Sequence, residues 1–190
     1  MWWFYTVILG TSFAQVLGEI AVAVREWSRD RERRPFVPAL LWQVFLLALI
    51  VEVWLAVTYY RDTVTQISIL ELLGFLAVPA GILIMSFLLP AAKSDPGDVL
   101  SPAESFDRVR RVFFGVLIGV VAINLLHGFA IGQQGWDSDL LFQSLIIAGG
   151  VLGVFLRRTL ADTALAAVMI VVLAAYIGLG YSTVLIDSTG

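Results

Sequence analysis

The sequence predicts an all-α fold: a single transmembrane domain over residues 1–190, built as a polytopic bundle of six helices. The first observation is composition, because 59% of the 190 residues are hydrophobic and only 14% are charged. Soluble domains carry about 25% charged residues, so this chain fits a lipid environment. The second is a series of apolar runs, most of them near the roughly 20 residues that a helix needs to cross a bilayer. The third is the concentration of arginine in alternate connectors.

The first predicted helix covers about residues 3–24 and begins with aromatic side chains, which suit a membrane interface. Gly10, Ala14 and Gly18 are spaced by four, so small side chains lie along one stripe of this helix. Such a stripe allows a second helix to approach closely. A polar connector dominated by arginine follows at residues 25–35.

The second predicted helix, about residues 36–60, is the clearest span because it is apolar for more than the thickness of a bilayer. One acid, Glu52, lies inside it. A tight turn leads to the third predicted helix, about residues 66–92, which carries Glu71 near its start. Pro79 lies in its interior and is expected to kink it.

The fourth predicted helix, about residues 102–131, has the clearest start signal in the chain. Ser101 and Glu104 have the spacing of a capping box, and the proline between them occupies the first helical position. The helix is therefore expected to begin in the aqueous phase and to enter the membrane after its arginines. Near its far end it carries Asn124 and His127, three residues apart on one face.

The last two predicted helices are about residues 140–156 and about residues 160–186. The fifth is short for a span, near the lower limit of about 17 residues. It is also rich in glycine, with Gly149, Gly150 and Gly153. A basic turn separates it from the sixth, which is apolar over most of its length.

The placement of basic residues predicts the orientation of the bundle. With six spans, eleven of the twelve lysines and arginines lie on one side of the membrane, and only Arg61 lies on the other. The positive-inside rule places those eleven in the cytoplasm and both termini outside. We expect the arginines on the cytoplasmic side to set the topology and to contact anionic lipid: Arg25, Arg29, Arg31, Arg33, Arg34, Arg108, Arg110, Arg111, Arg157 and Arg158.

A faint similarity between the two halves predicts a 3+3 inverted repeat. The run Leu-Leu-Trp-Gln at 40–43 recurs as Leu-Leu-Phe-Gln at 140–143, near the start of the second helix of each half. Because three is odd, such halves lie in opposite orientations, as in many secondary transporters. The alternative is chance, since a second set of matches, which includes Gln15 with Asn124, needs a different offset.

Ionisable groups inside the predicted spans are candidates for function, because a bilayer penalises charge. The predicted polar intramembrane site consists of Glu52, Glu71 and His127, which the topology places in the outer half of the membrane. Such a site can exchange protons or hold a cation. The alternative is that each residue only satisfies a neighbouring helix or faces the headgroups. The secondary polar candidates are Gln15, Glu19, Gln43, Asn124 and Gln143, of which Glu19 is expected to pair with an arginine.

Several chemistries do not fit the sequence. The chain has no cysteine and a single histidine, which argues against thiolate sites, zinc hydrolysis and haem held by paired histidines. No nucleophile–base arrangement is visible, so we predict no enzyme activity, no catalytic residue, no metal and no cofactor. An intramembrane enzyme acting on lipid or quinone is the least favoured class. Nucleic acid is not a predicted partner.

Four features together resemble a loose group of small, uncharacterised bacterial six-helix inner-membrane proteins. They are Gly10 and Gly18, the arginine-rich connector, the Leu41-Trp42 entry to the second helix and the Arg-Val-Phe-Phe entry at 111–114. The resemblance implies a multi-pass protein of the bacterial inner membrane. It implies no activity and transfers no functional residue.

Two functions follow from the sequence. The first is a small transporter or channel with a buried acidic and histidine site in the outer half of the membrane. The alternative is a non-transporting scaffold, sensor or partner subunit, whose small-residue stripes bind other helices in a homo-oligomer or a membrane partner protein. The lipid bilayer is the predicted environment in both cases.

Overall fold

The computed structural model describes residues 2–29, 36–60, 68–89, 101–130 and 138–181. Within these ranges the chain forms six α-helices and no strand: α1 Trp2–Arg29, α2 Val37–Tyr60, α3 Ile69–Leu88, α4 Pro102–Ala130, α5 Ser138–Phe155 and α6 Thr159–Gly180. Five of these helices are long and apolar enough to cross a membrane, and α5 is apolar but shorter. The all-α class and the count of six helices are confirmed, and the apolar helices indicate a multi-pass membrane protein.

The predicted and observed helices differ mainly at their ends. α1 continues to Arg29, five residues into the predicted connector. Those residues include no glycine or proline, and arginine and glutamate favour helix, so nothing local stops the helix there. The rest of that connector, with Arg31, Arg33 and Arg34, lies outside the described residues. So does the predicted part of the sixth helix beyond residue 181.

The helices pack as a ring in the spatial order α1, α3, α4, α5, α6, α2 and back to α1, with a smaller contact between α2 and α3. The starts of α2 and α4 lie together, because the rings of Phe36 and Phe106 are 5.9 Å apart. We call this the basic end of the bundle, since Arg108 and Arg111 lie within the first three turns of α4 and Arg158 immediately precedes α6. The opposite end, where α1, α3 and α5 begin, is called the tyrosine end.

An aromatic cluster joins α2 to α4 in the core. Trp42, Phe45, Phe113 and Phe114 are all fully buried. The indole of Trp42 meets Phe114 edge-on, with ring centroids 4.9 Å apart, and Phe45 at 5.4 Å. Edge-to-face pairs of this kind add to the stability that burial provides. The predicted entry of the second helix at Trp42 is therefore also the centre of the core.

The glycines of α5 are explained by close helix packing. A Cβ atom at Gly153 would overlap the ring of Phe114, and one at Gly149 would overlap the side chain of Met169. At Gly150 a Cβ would lie 2.9 Å from Ile118 Cγ1. Helix α5 therefore approaches α4 and α6 more closely than a helix with side chains at these positions can.

The packing of the two halves differs. Gln43 and Gln143, the matched glutamines of the two halves, are both buried. However, α1 packs extensively against α3, whereas the principal partners of α4 are α3 and α5. The inverted repeat therefore stays a prediction.

Candidate functional site

Side chains from four helices meet in a polar cluster at the tyrosine end. We call it the carboxylate–tyrosine cluster, and its members are Tyr5 of α1, Glu52 of α2, Asp139 of α5, Tyr176 of α6 and Tyr181 just after α6. The first turn of α5 lies beside the last turns of α6 because the two helices are antiparallel neighbours. This arrangement brings Asp139 next to Tyr176.

Each carboxylate of this cluster accepts a hydrogen bond from a tyrosine. The hydroxyl of Tyr176 donates to Asp139 Oδ1 at 2.5 Å, and the hydroxyl of Tyr181 donates to Glu52 Oε1 at 3.4 Å. Glu52 and Asp139 are also close enough for their charges to interact. Tyr5 is buried within the range of the charge on Glu52.

Two acids held together in this way have a clear chemical capacity. Both carboxylates are partly buried, where like charges repel more strongly than in water. The hydrogen bonds described above to these two carboxylates come from tyrosine hydroxyl groups, and Arg110, which forms ion pairs, lies at the other end of the bundle. A proton or a cation between the carboxylates relieves the repulsion, so the cluster is suited to bind either.

Glu71 and His127 lie elsewhere at the tyrosine end. Glu71 forms a capping box at the start of α3, where its carboxylate accepts from the Ser68 backbone N–H at 2.6 Å and its own N–H donates to Ser68 Oγ at 3.2 Å. His127 is near enough to interact with the charge of Glu71, and its Cδ2 faces Gly74. The structure therefore brings Glu71 and His127 near each other and places Glu52, the third predicted site residue, in the carboxylate–tyrosine cluster.

The sequence contains the signal for the role of Glu71. Ser68 and Glu71 have the same spacing as Ser101 and Glu104, whose predicted capping box is confirmed. There, Glu104 Oε2 accepts from both the backbone N–H and the hydroxyl of Ser101, each at 2.8 Å. Because this motif satisfies open N–H groups at a helix start, it accounts for an acid at the edge of a span.

The secondary polar candidates are distributed through the bundle. Gln43 and Gln143 are buried, with 5% and 6% of their surface exposed. Gln15 and Glu19 are partly buried on α1, and Asn124 is exposed on α4. Within the described residues, Oε1 of Gln143 is buried and accepts no hydrogen bond.

A second polar cluster lies at the basic end, and we call it the ion-pair cluster. Arg110 Nη2 donates to Asp162 Oδ2 at 2.5 Å, and Nη1 donates to the carbonyl oxygen of Gly153 at 3.1 Å. Its Nε donates to Asp107 Oδ1 at 2.8 Å, and the Trp42 indole N–H donates to Asp162 Oδ1 at 3.4 Å. The ion-pair cluster thus connects α2, α4, α5 and α6.

The burial of this ion pair was not expected. The sequence predicts that Arg110 contacts lipid like the other arginines, but only 4% of its surface is exposed and its guanidinium binds Asp162. The other arginines of that prediction that the structure describes are all exposed: Arg25, Arg29, Arg108, Arg111, Arg157 and Arg158.

Asp162 was not identified as a candidate because it lies close to the basic turn before α6, where an acid can face water. The signal that identifies it is periodicity. The buried face of α6 consists of Asp162, Ala166, Met169, Leu173 and Tyr176, so the acid begins a stripe that is otherwise apolar or aromatic. An acid in register with such a stripe is directed into the bundle.

Comparison with family models, with curated proteins and with solved structures gives no match for this chain. No residue role is transferred from another protein. The geometry of the carboxylate–tyrosine cluster and of the ion-pair cluster is therefore the basis for a functional proposal.

Proposed function

We propose that this protein is a small ion-coupled membrane transporter whose coupling ion binds at the carboxylate–tyrosine cluster. The observation that supports this proposal is that Tyr176 and Tyr181, whose ring centroids lie 6.4 Å apart, hold Asp139 of α5 and Glu52 of α2 in one cluster. Acids are rare inside membrane bundles and commonly belong to ion or proton pathways.

The proposed orientation places the cluster near the outside of the cell. Under the positive-inside rule, the basic end faces the cytoplasm of a bacterial inner membrane and both termini face outward. Glu52 and Asp139 then lie in the outer half of the bilayer, where an ion from the external medium has a short path to them.

The helices that meet at the site suggest how binding can be coupled to movement. Four helices contribute side chains, and Tyr176 packs on Phe142 with ring centroids 5.0 Å apart. An ion between the carboxylates relieves the repulsion between Glu52 and Asp139, so occupancy favours a closer approach of these two side chains. A ligand that binds one packing better than another shifts the population toward it, and alternating access requires such a shift.

Flux through proteoliposomes tests this proposal. Dyes sensitive to pH, sodium or potassium inside the vesicles report the movement of each ion while sodium, potassium or proton gradients are imposed. We expect Glu52→Gln and Asp139→Asn to reduce the protein-dependent flux to the background of empty vesicles. Glu71→Gln is the matched control, because it neutralises an acid at the same end of the bundle that serves as a helix cap.

Two results contradict the transport proposal. One is unchanged flux in both Glu52→Gln and Asp139→Asn when each variant is folded, as judged by a single peak in size-exclusion chromatography. The other is loss of flux in Glu71→Gln alone, which would move the functional site to the start of α3.

A second candidate function is a scaffold or partner subunit, and the outer surface of α1 favours it. Gly10, Ala14 and Gly18 are exposed, and, apart from the adjoining backbone of α1, no atom of the described residues lies within 4 Å of a Cβ placed at Gly10 or Gly18. The predicted helix-packing stripe is therefore open on the described bundle. If this stripe binds a second helix, Gly10→Leu and Gly18→Leu should dissociate a homo-oligomer or release a co-purifying membrane protein. Purification of the wild-type protein as a monomer without a partner would contradict this function.

A further inference from the structure

Gln143 has a buried oxygen without a partner. Its side chain is 6% exposed, and within the described residues Oε1 accepts no hydrogen bond. Buried amide oxygens in folded proteins nearly always have a donor, an ordered water or an ion next to them. The environment of Gln143 therefore indicates a ligand for Oε1.

Gln143 lies one helical turn along α5 from Asp139 of the carboxylate–tyrosine cluster. Gln143 follows Asp139 by four residues on α5, so the two side chains share one face of the helix. Long side chains on a helix lean toward its N-terminus and cover the preceding turn. Helix geometry therefore favours a position of the Gln143 amide near the turn that carries Asp139, and its burial places it on the inner side of α5.

The candidate ligand atoms of the cluster and of the next turn of α5 are all oxygens. Glu52 and Asp139 supply carboxylates, Tyr176 and Tyr181 supply hydroxyls, and Gln143 supplies an amide carbonyl. Oxygen ligands select hard cations rather than transition metals. Within the described residues there is no group of three or more histidines and acids placed to hold a metal ion. Because affinity for Ca²⁺ rises with the number of charged ligands, two acids favour a cation of lower charge.

We propose that Gln143 completes a binding site for an alkali-metal cation in the carboxylate–tyrosine cluster. This inference rests on the site of the proposed function and names its coupling ion as a cation of the sodium and potassium class. Glu52 and Asp139 supply the negative charge, and the neutral oxygens of Gln143 and the tyrosines replace water around the ion. Asp139 and Gln143 contribute from successive turns of α5, so the ion links that helix to Glu52 on α2.

Cation-dependent thermal stability tests the site without requiring transport. The purified wild-type chain in detergent is unfolded at fixed pH and ionic strength in sodium, potassium or choline chloride, with tryptophan fluorescence as the readout. Because a ligand that binds only the folded state stabilises it, we expect sodium or potassium to raise Tm by a few degrees over choline. The better of the two identifies the ion.

Variants of two glutamines test the role of Gln143. Gln143→Leu and Gln143→Met remove the amide oxygen and should abolish the difference between the alkali cation and choline. Gln43→Leu is the matched control, because Gln43 is equally buried but belongs to the basic end of α2. It should retain the cation-dependent rise in Tm, whatever its effect on Tm in choline.

The outcomes separate this inference from the proposed function. A wild-type chain whose Tm is the same in all three salts overturns the cation site, even if both Gln143 variants fail to fold. A cation effect that persists in Gln143→Leu or Gln143→Met overturns the assignment of Gln143. A cation-dependent Tm without any flux in vesicles supports the cation site and contradicts transport. Proton flux without a cation effect on Tm supports transport and contradicts the cation site.

Discussion

At the scale of single residues, Arg110 and Asp162 illustrate how burial changes the meaning of a charge. Asp162 is completely buried, and Arg110 is also held by the carbonyl oxygen of Gly153 and lies 4.7 Å from the centre of the Phe106 ring. A buried charge that loses its partner is far less stable than one in water, whereas replacing both partners with apolar groups can be neutral. The pair should therefore be sensitive to single substitutions and tolerant of a matched double substitution.

We predict that Arg110→Met lowers the free energy of unfolding by about 3–5 kcal/mol, because it leaves the Asp162 carboxylate buried without a cation. The double variant Arg110→Met with Asp162→Leu should recover most of that loss. Arg111→Met is the control, since the exposed neighbour should change the free energy by about 0.5 kcal/mol or less. Denaturant titrations in detergent micelles measure these differences, and equal effects of Arg110→Met and Arg111→Met would contradict the prediction.

Residue roles were only partly predictable from the sequence. Glu52 was identified because an acid inside a long apolar run is conspicuous. The predicted fifth helix begins one residue after its partner Asp139, which leaves that acid in a connector, whereas α5 begins at Ser138 and includes it. Arg110 cannot be distinguished from Arg108 and Arg111 by composition, because only the direction of each side chain separates a buried cation from a lipid contact.

At the scale of helices, glycine has two different roles in this bundle. Gly81 and Gly153 are packed, since a Cβ at Gly81 would overlap Val120 and one at Gly153 would overlap Phe114. Gly10 and Gly18 are open at the surface of α1. A stripe of small residues predicts where a helix can approach closely, but it does not identify the partner or show that the partner belongs to the same chain.

This difference gives a prediction for two matched glycine substitutions. Gly153→Ala should lower the free energy of unfolding by about 1–3 kcal/mol, because the buried Phe114 ring must move to admit a methyl group. Gly18→Ala adds the same methyl group in open space and should be neutral or slightly stabilising, as alanine favours helix. Thermal unfolding of the two variants in the same detergent compares them, and a neutral Gly153→Ala would show that α4 and α5 are less closely packed than described.

At the scale of the whole molecule, hydropathy was sufficient for the helix count and insufficient for the arrangement. Helix α2 is apolar all around, yet Trp42 is fully buried while 51% of Trp54 is exposed. In a membrane, the core-facing and lipid-facing sides of a helix are equally apolar, so the sequence carries little information about neighbours. The ring order, and with it the two polar clusters, therefore depended on three-dimensional packing.

The orientation of the bundle remains a prediction, and the chain allows a matched test of it. Ser68 and Ser101 are exposed N-cap residues of equivalent capping boxes, and one helix, α3, separates them along the chain. The sequence has no cysteine, so Ser68→Cys and Ser101→Cys each introduce a single thiol. Both substitutions remove an N-cap that stabilises its helix by about 1 kcal/mol, so they should destabilise the protein to a similar extent. A difference in labelling therefore reports the position of the thiol and not a difference in stability.

We predict that a membrane-impermeant maleimide labels Ser68→Cys in intact spheroplasts and labels Ser101→Cys only after the membrane is permeabilised. This result follows from the eleven bases that the positive-inside rule assigns to the cytoplasmic side. Labelling in the opposite order would invert the bundle and place Glu52 and Asp139 in the inner half of the membrane, where an ion would enter from the cytoplasm. Labelling of both thiols from outside would mean that α3 does not cross the membrane, and the count of six spans would then be wrong.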